Sequence, residues 1–134
     1  MKPITTITAL AALALALAAC QTAKKATSPA SGSGKSASLR TMEQVAIAAH
    51  KCWFASKDPD FASYSMANEL NSFSGTPRFL LVPKKNYGGK PLLVVQARGA
   101  SSQVEVFGPL TGESLGGRIN SDIGRWNAGN SACA

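Results

Sequence analysis

The chain has 134 residues, 45% of them hydrophobic, and a formal net charge of +7. That length holds one small domain rather than several. The charge is not the footprint of a nucleic-acid binder: from residue 39 onward ten Lys/Arg stand against seven Asp/Glu, and no stacking motif accompanies them.

The first element is a signal-like run. Met1-Lys2-Pro3 is short and positive, and residues 4–19 carry no charge and are mostly Ala and Leu. A bilayer-spanning helix needs about 20 apolar residues. This run is shorter, contains Thr5, Thr6 and Thr8, and ends in small residues. That pattern describes a secretory signal peptide, removed on export. A retained membrane anchor and a buried core helix are the alternatives. The run ends Leu17-Ala18-Ala19-Cys20, which resembles the lipobox of bacterial lipoproteins. The resemblance covers residues 1–21 and implies cleavage before Cys20 and acylation of its thiol and new amino group. It also implies an outer-membrane destination, because Gln21 stands where an inner-membrane retention Asp is often found. Each buried methylene contributes about 0.8 kcal/mol, and two or more chains hold firmly where one holds marginally. The expected partner of Cys20 is therefore the membrane itself, with the domain facing the periplasm or, as the alternative, exposed on the cell surface.

Residues 21–38, "QTAKKATSPASGSGKSAS", contain no large apolar residue. They read as a flexible tether with a root-mean-square reach of about 20–25 Å. The divisions expected are thus a signal peptide (1–19), a lipidated cysteine and tether (20–38) and a folded domain (39–134). Three cysteines are present. Lipidation of Cys20 leaves Cys52 and Cys133, which an oxidising periplasm would join. Two free buried thiols are the alternative. Closing a loop of roughly 80 residues stabilises by at most about 4.5 kcal/mol in the chain-entropy model.

Residues 39–55 read as a helix, capped by Thr41 with Gln44 or by Ser38. Leu39, Met42, Val45, Ala46, Ala49, Cys52 and Trp53 share one face at a 3.6 period. Ile47 and Phe54 flank that stripe with His50 between them, so the apolar face is wide: the domain wraps it on two sides, or its edge meets a partner. Asp58-Pro59-Asp60 breaks the chain. "ASYSMANEL" then alternates as a strand, although Asp58-Pro59 also suits the start of a short helix.

"RFLLV" (78–82), "LLVVQAR" (92–98) and "QVEVF" (103–107) are strands by β-branched and apolar content. The first two are joined by a hairpin loop and the whole makes an antiparallel meander. Leu115, Ile119, Ile123 and Trp126 mark a final helix. Gly116 and Gly117 cost about 1 kcal/mol each inside a helix, so it either breaks there or begins near Ser121. The order α-β-β-β-β-α predicts an α+β two-layer domain with an antiparallel sheet of about four strands. A Cys52–Cys133 bridge would place both helices on one side of it.

No catalytic constellation stands out. His50 is the only histidine and lacks evident partners. Asp58 and Asp60 read as a turn, since no further ligands follow at calcium-loop spacing. With one histidine and no Cys-x-x-Cys spacing, neither a metal site nor a cofactor is expected. "YGGK" and "SLGGR" match no phosphate-binding loop, and no nucleophile elbow is present.

Two surfaces remain. Lys84, Lys85 and Lys90 surround Tyr87 in the hairpin loop, a candidate partner-binding cluster for anionic lipid or lipopolysaccharide; the plain reading is a soluble turn. "RFLLV" and "LLVVQ" are apolar at consecutive positions, so both faces of the central strands want burial. Two helices cover one face. The other, bordered by Arg78, Lys84 and Arg98, is a docking site unless residues 58–77 fold over it. The sequence therefore points to a non-enzymatic outer-membrane lipoprotein binding an envelope protein, lipid or glycan. The alternatives are an inhibitor of an envelope hydrolase that inserts the hairpin and, last, a small enzyme using His50.

Overall fold

The computed structural model describes residues 34–134. Cys20, the signal-like run and most of the tether lie outside the described residues. The first helix, α1, spans Ala37–Ala49. It begins at Ala37 because Ser36 caps it, accepting the Leu39 N–H at 3.1 Å through its hydroxyl. Neither expected cap serves. Ser38 is buried and its hydroxyl donates to the Gly99 carbonyl at 2.6 Å. Gln44 donates its side-chain amide to the Trp126 carbonyl on the last helix. Distant partners have drawn off both polar groups.

Met42, Val45, Ala46 and Ala49 are buried as the periodicity predicts, and Ala48 joins them. From His50 to Ala55 the helix widens into a π-helical turn. The Ser56 N–H reaches the Lys51 carbonyl at 3.1 Å, the five-residue step of that geometry. Cys52 and Trp53 both remain in the core. Lys57 ends the turn in the left-handed region, φ 59°. Asp58 then caps a 3-10 turn, Pro59–Phe61, by accepting the Asp60 N–H at 3.0 Å. Proline's fixed φ suits its place at the start. A short helix and a strand were alternatives here; both form, one after the other.

The sheet has four strands in the order β1-β2-β3-β4: β1 Tyr64–Glu69, β2 Arg78–Pro83, β3 Leu93–Ala97 and β4 Val104–Phe107. Each pairs antiparallel with the next. Alternation sends Phe79, Leu81, Leu93, Val95 and Ala97 into one core with α1, Phe61, Leu110, Ile119, Ile123 and Trp126. The helical elements therefore pack on one face, as an α+β two-layer domain requires. Residues 58–77 do not fold over the other face: they supply β1 to the sheet edge, while Phe61 and Leu70 join the same core.

After β4, Gly108 takes φ 127°, and a Cβ there would sit 2.6 Å from the Leu92 carbonyl oxygen. Only glycine allows this close crossing into the 3-10 turn Pro109–Gly112. The last helix, α2, spans Gly116–Asn127. It neither breaks at its glycines nor waits for Ser121. Gly116 opens it where a Cβ would lie 2.2 Å from the Thr111 carbonyl oxygen, so its helix penalty is accepted for a close approach. Cys52 and Cys133 form a disulfide with Cα atoms 5.2 Å apart. The tail is also held through the Ala132 carbonyl, which accepts from Arg125 Nε and Trp126 Nε1, each at 3.0 Å.

Candidate functional site

Trp53 organises the interior. Its ring stacks on Phe61 at 4.4 Å and 10°, and meets Trp126 at 5.0 Å. Its indole N–H donates to Asp122 Oδ2 at 2.8 Å. Asp122 is 1% exposed, and a buried carboxylate needs compensation. Arg125 donates to its other oxygen. Arg118 Nε lies 3.5 Å away without a hydrogen bond of its own.

Arg118 also binds Asp58 at 2.6 Å and Asp60 at 3.1 Å, and its guanidinium lies 5.5 Å from the centre of the Phe61 ring. The hydrogen bond from Arg118 holds the Asp58 carboxyl below the ordinary carboxylate range, against the opposing effect of burial. Asp58 and Asp60 thus form a turn and an ion-pair network. Among the described residues no group of three or more His, Cys, Asp or Glu could hold a metal ion.

His50 is exposed on the π-helical turn, and its imidazole makes no hydrogen bond among the described residues. On the helix flank Ile47 is 70% exposed, while Phe54 is half-buried and meets Phe61 edge-on at 6.2 Å. The wide apolar face is therefore split: Phe54 belongs to the domain and Ile47 is left in water.

The hairpin loop is a pair of successive turns. Asn86 N–H donates to the Pro83 carbonyl at 3.0 Å, and Gly89 N–H to the Asn86 carbonyl at 2.9 Å. Lys84, Lys85 and Lys90 are exposed, and Tyr87 is 60% exposed. Lys84 turns to a cleft of about 170 Å³, lined also by Trp53, Phe54, Lys57, Asp58, Phe61, Ala62 and Tyr64. The other three residues do not line it.

The sheet face away from the helices is ordered in rows by the strand register. Ala67, Leu80, Val94 and Phe107 stand opposite one another across the strands, and Glu69, Arg78, Gln96 and Glu105 form the next row. The polar row is satisfied internally: Arg78 Nε donates to Glu69, and Gln96 Nε2 donates to Glu105 at 2.7 Å. Arg98 Nε lies 3.3 Å from Glu105. In the apolar row Ala67, Leu80 and Val94 are half-buried and Phe107 is exposed, while Val82 and Gln96 on the same face are buried. No helix among the described residues lies on this face.

Sequence reasoning identified the second face and the loop lysines. It missed the cleft, because residues 53–64 pass through a π-helical turn, a left-handed residue and a 3-10 turn before they meet Lys84 of the hairpin loop, a path that no single period encodes. The aromatic run of Trp53, Phe54, Phe61 and Tyr64 is the one signal that pointed there. No family model matches this chain, and neither a curated protein nor a solved structure matches it significantly.

Proposed function

We propose that this chain is a lipoprotein of the bacterial outer membrane, anchored through Cys20, whose domain is a non-enzymatic docking module for an envelope protein. The row Ala67-Leu80-Val94-Phe107 carries the reading. It is an apolar stripe crossing all four strands, on the face opposite the helices. Contiguous apolar surface of this kind marks interaction sites. The flanking polar row is already paired, whereas the loop beyond its other side carries Lys84, Lys85 and Lys90. A partner with an apolar strip and an acidic flank complements both features. The lipobox supports the anchor, and the tether supports a domain that can reach a neighbour.

A photo-crosslinking residue at Phe107 should give one discrete protein adduct in cells, and the same residue at exposed Ile47 should not. Val94→Asp should abolish the Phe107 adduct while the domain still melts cooperatively. Leu81→Asp, on the core face, should unfold it. Cys20→Ser should leave the chain unprocessed and remove the mature form from the membrane fraction. A mature, membrane-bound Cys20→Ser protein, or equal adducts at both positions, would refute the proposal.

A further inference from the structure

The cleft beside β1 has features that the sheet-face docking reading does not use. Its floor is aromatic: Trp53 and Phe61 are each 1% exposed and stacked. Half-buried Phe54 and Tyr64 complete its walls. Its volume, about 170 Å³, suits a single ring or branched side chain, since an apolar cavity of about 150 Å³ accepts benzene. It falls below the roughly 300–1,000 Å³ of ordinary small-molecule pockets. One group of a larger ligand fits better than a whole small molecule.

The rim is cationic. Lys57 and Lys84 line the cleft, and neither forms an ion pair among the described residues. The one acid present, Asp58, is engaged by Arg118 at 2.6 Å and by the Asp60 N–H at 3.0 Å. The field left at the mouth is positive, which suits an anionic group attached to the apolar one.

The neighbouring backbone is unsaturated. Among the described residues β1 pairs with β2 alone, so alternate residues on its outer edge offer N–H and C=O groups that no described strand takes up. Tyr64, the first residue of β1, is also a wall of the cleft. An edge strand ending at an apolar pocket with cations is the arrangement that captures an extended chain by strand addition and holds its terminal carboxylate.

We propose that this cleft and the β1 edge bind the extended C-terminal segment of a partner polypeptide. Its last side chain, apolar and best aromatic, fills the cleft over Trp53 and Phe61. Its free carboxylate faces Lys57 and Lys84, and the preceding residues hydrogen-bond along β1. The site is separate from the outer sheet face, and it stands whether or not Cys20 carries lipid.

The test is an amide-detected NMR titration of the full chain with three probes. The first is a hexapeptide of alternating valine and threonine ending in a free phenylalanine. The second is the same peptide amidated at its C-terminus, and the third is N-acetylphenylalanine. The free-acid peptide should shift the amides of residues 53–57 and 61–69. The amidated peptide should bind about fivefold to tenfold more weakly, and Lys57→Gln and Lys84→Gln should each weaken the acid about threefold to fivefold, as single exposed ion pairs do. N-acetylphenylalanine should bind at least about tenfold more weakly than the peptide, lacking the strand contacts. No shift at these residues, equal affinity of acid and amide, or N-acetylphenylalanine binding as tightly as the peptide would each overturn the proposal. The Val94→Asp variant should bind the peptide unchanged; loss of peptide binding there would show that the two surfaces are one and defeat the assignment.

Discussion

Replacing Asp122 with Ala removes the acceptor on which the centre of the core depends. The carboxylate is 1% exposed and accepts from Trp53 Nε1 at 2.8 Å. Without it the indole N–H is buried and unpaired, at a cost of about 1–3 kcal/mol. The two arginines suffer less. Arg118 keeps Asp58 and Asp60, and the side chains of Arg118 and Arg125 are 29% and 23% exposed and can reach water. Loss of their shared counter-charge adds about 1 kcal/mol, well below the 3–5 typical of a fully buried broken pair. The expected total is about 2–4 kcal/mol, a large share of the roughly 5–15 that hold a domain together. In urea, with a slope near 1.5 kcal/mol/M, the midpoint should fall by roughly 2 M. Trp53→Phe in the Asp122→Ala background should cost less than in the native protein, because the orphaned donor leaves with the indole, giving a coupling of about 1–2 kcal/mol. A loss below about 1 kcal/mol for Asp122→Ala, or a coupling of zero, would show that the indole–carboxylate bond does not hold the core.

Serine at both Cys52 and Cys133 should destabilise the domain by up to about 4.5 kcal/mol, read as a lower urea midpoint, and the native chain should show a two-hydrogen mass deficit and one linked peptide pair without reductant. The Asp58 carboxyl titrates below its unfolded value of 3.8, chiefly through the Arg118 hydrogen bond. Its contribution is therefore complete above that unfolded value and is lost as pH falls through the lower folded one. Melting temperature should drop more steeply below about pH 4 in the native protein than in Asp58→Asn, and the two curves should be parallel near neutral pH.

The element order was legible because each strand and helix carries its own local pattern. "RFLLV" and "LLVVQ" are short unbroken runs of apolar and β-branched residues, which mark strands, and Leu115, Ile119, Ile123 and Trp126 repeat at helical spacing. What was not legible depends on contacts distant in sequence. Ser38 reads as a cap, yet Gly99 claims its hydroxyl from 61 positions away. Trp53 and Asp122 are separated by 69 positions, so nothing local announces a buried carboxylate beneath an indole. The π-helical turn is similar: residues 50–55 continue a good helical pattern, and only the packed core selects the wider turn that keeps Cys52 and Trp53 inside. Gly116 was misread for the opposite reason. Its helix penalty is a local quantity, while the 2.2 Å approach to Thr111 that requires it is set by the preceding 3-10 turn. The functional surfaces divide along the same line. The second sheet face is read from consecutive apolar positions within single strands, but the cleft forms where the irregular stretch 53–64 meets Lys84, and no local period describes that meeting.

Lys57 tests whether local strain and site chemistry meet in one residue. Its φ of 59° is the only positive φ outside glycine among the described residues. A side chain in that conformation costs roughly 1–2 kcal/mol, while glycine returns part of the gain through its freer unfolded chain. Lys57→Gly should therefore stabilise the domain by about 1 kcal/mol, raising the melting temperature by about 4–8 °C at this size. The same change removes one cation from the cleft rim, so affinity for the free-acid peptide should fall about threefold to fivefold. Lys57→Gln keeps the strain and removes the charge, and should lower affinity without stabilising. Opposite signs for stability and binding in Lys57→Gly would tie the unfavoured conformation to the site it serves. If Lys57→Gly stabilises and binding is unchanged, the cleft has no use for this lysine and the C-terminus-binding assignment fails. If it does not stabilise, the left-handed turn carries no strain, and the argument from backbone conformation falls while the charge argument stands on Lys57→Gln alone.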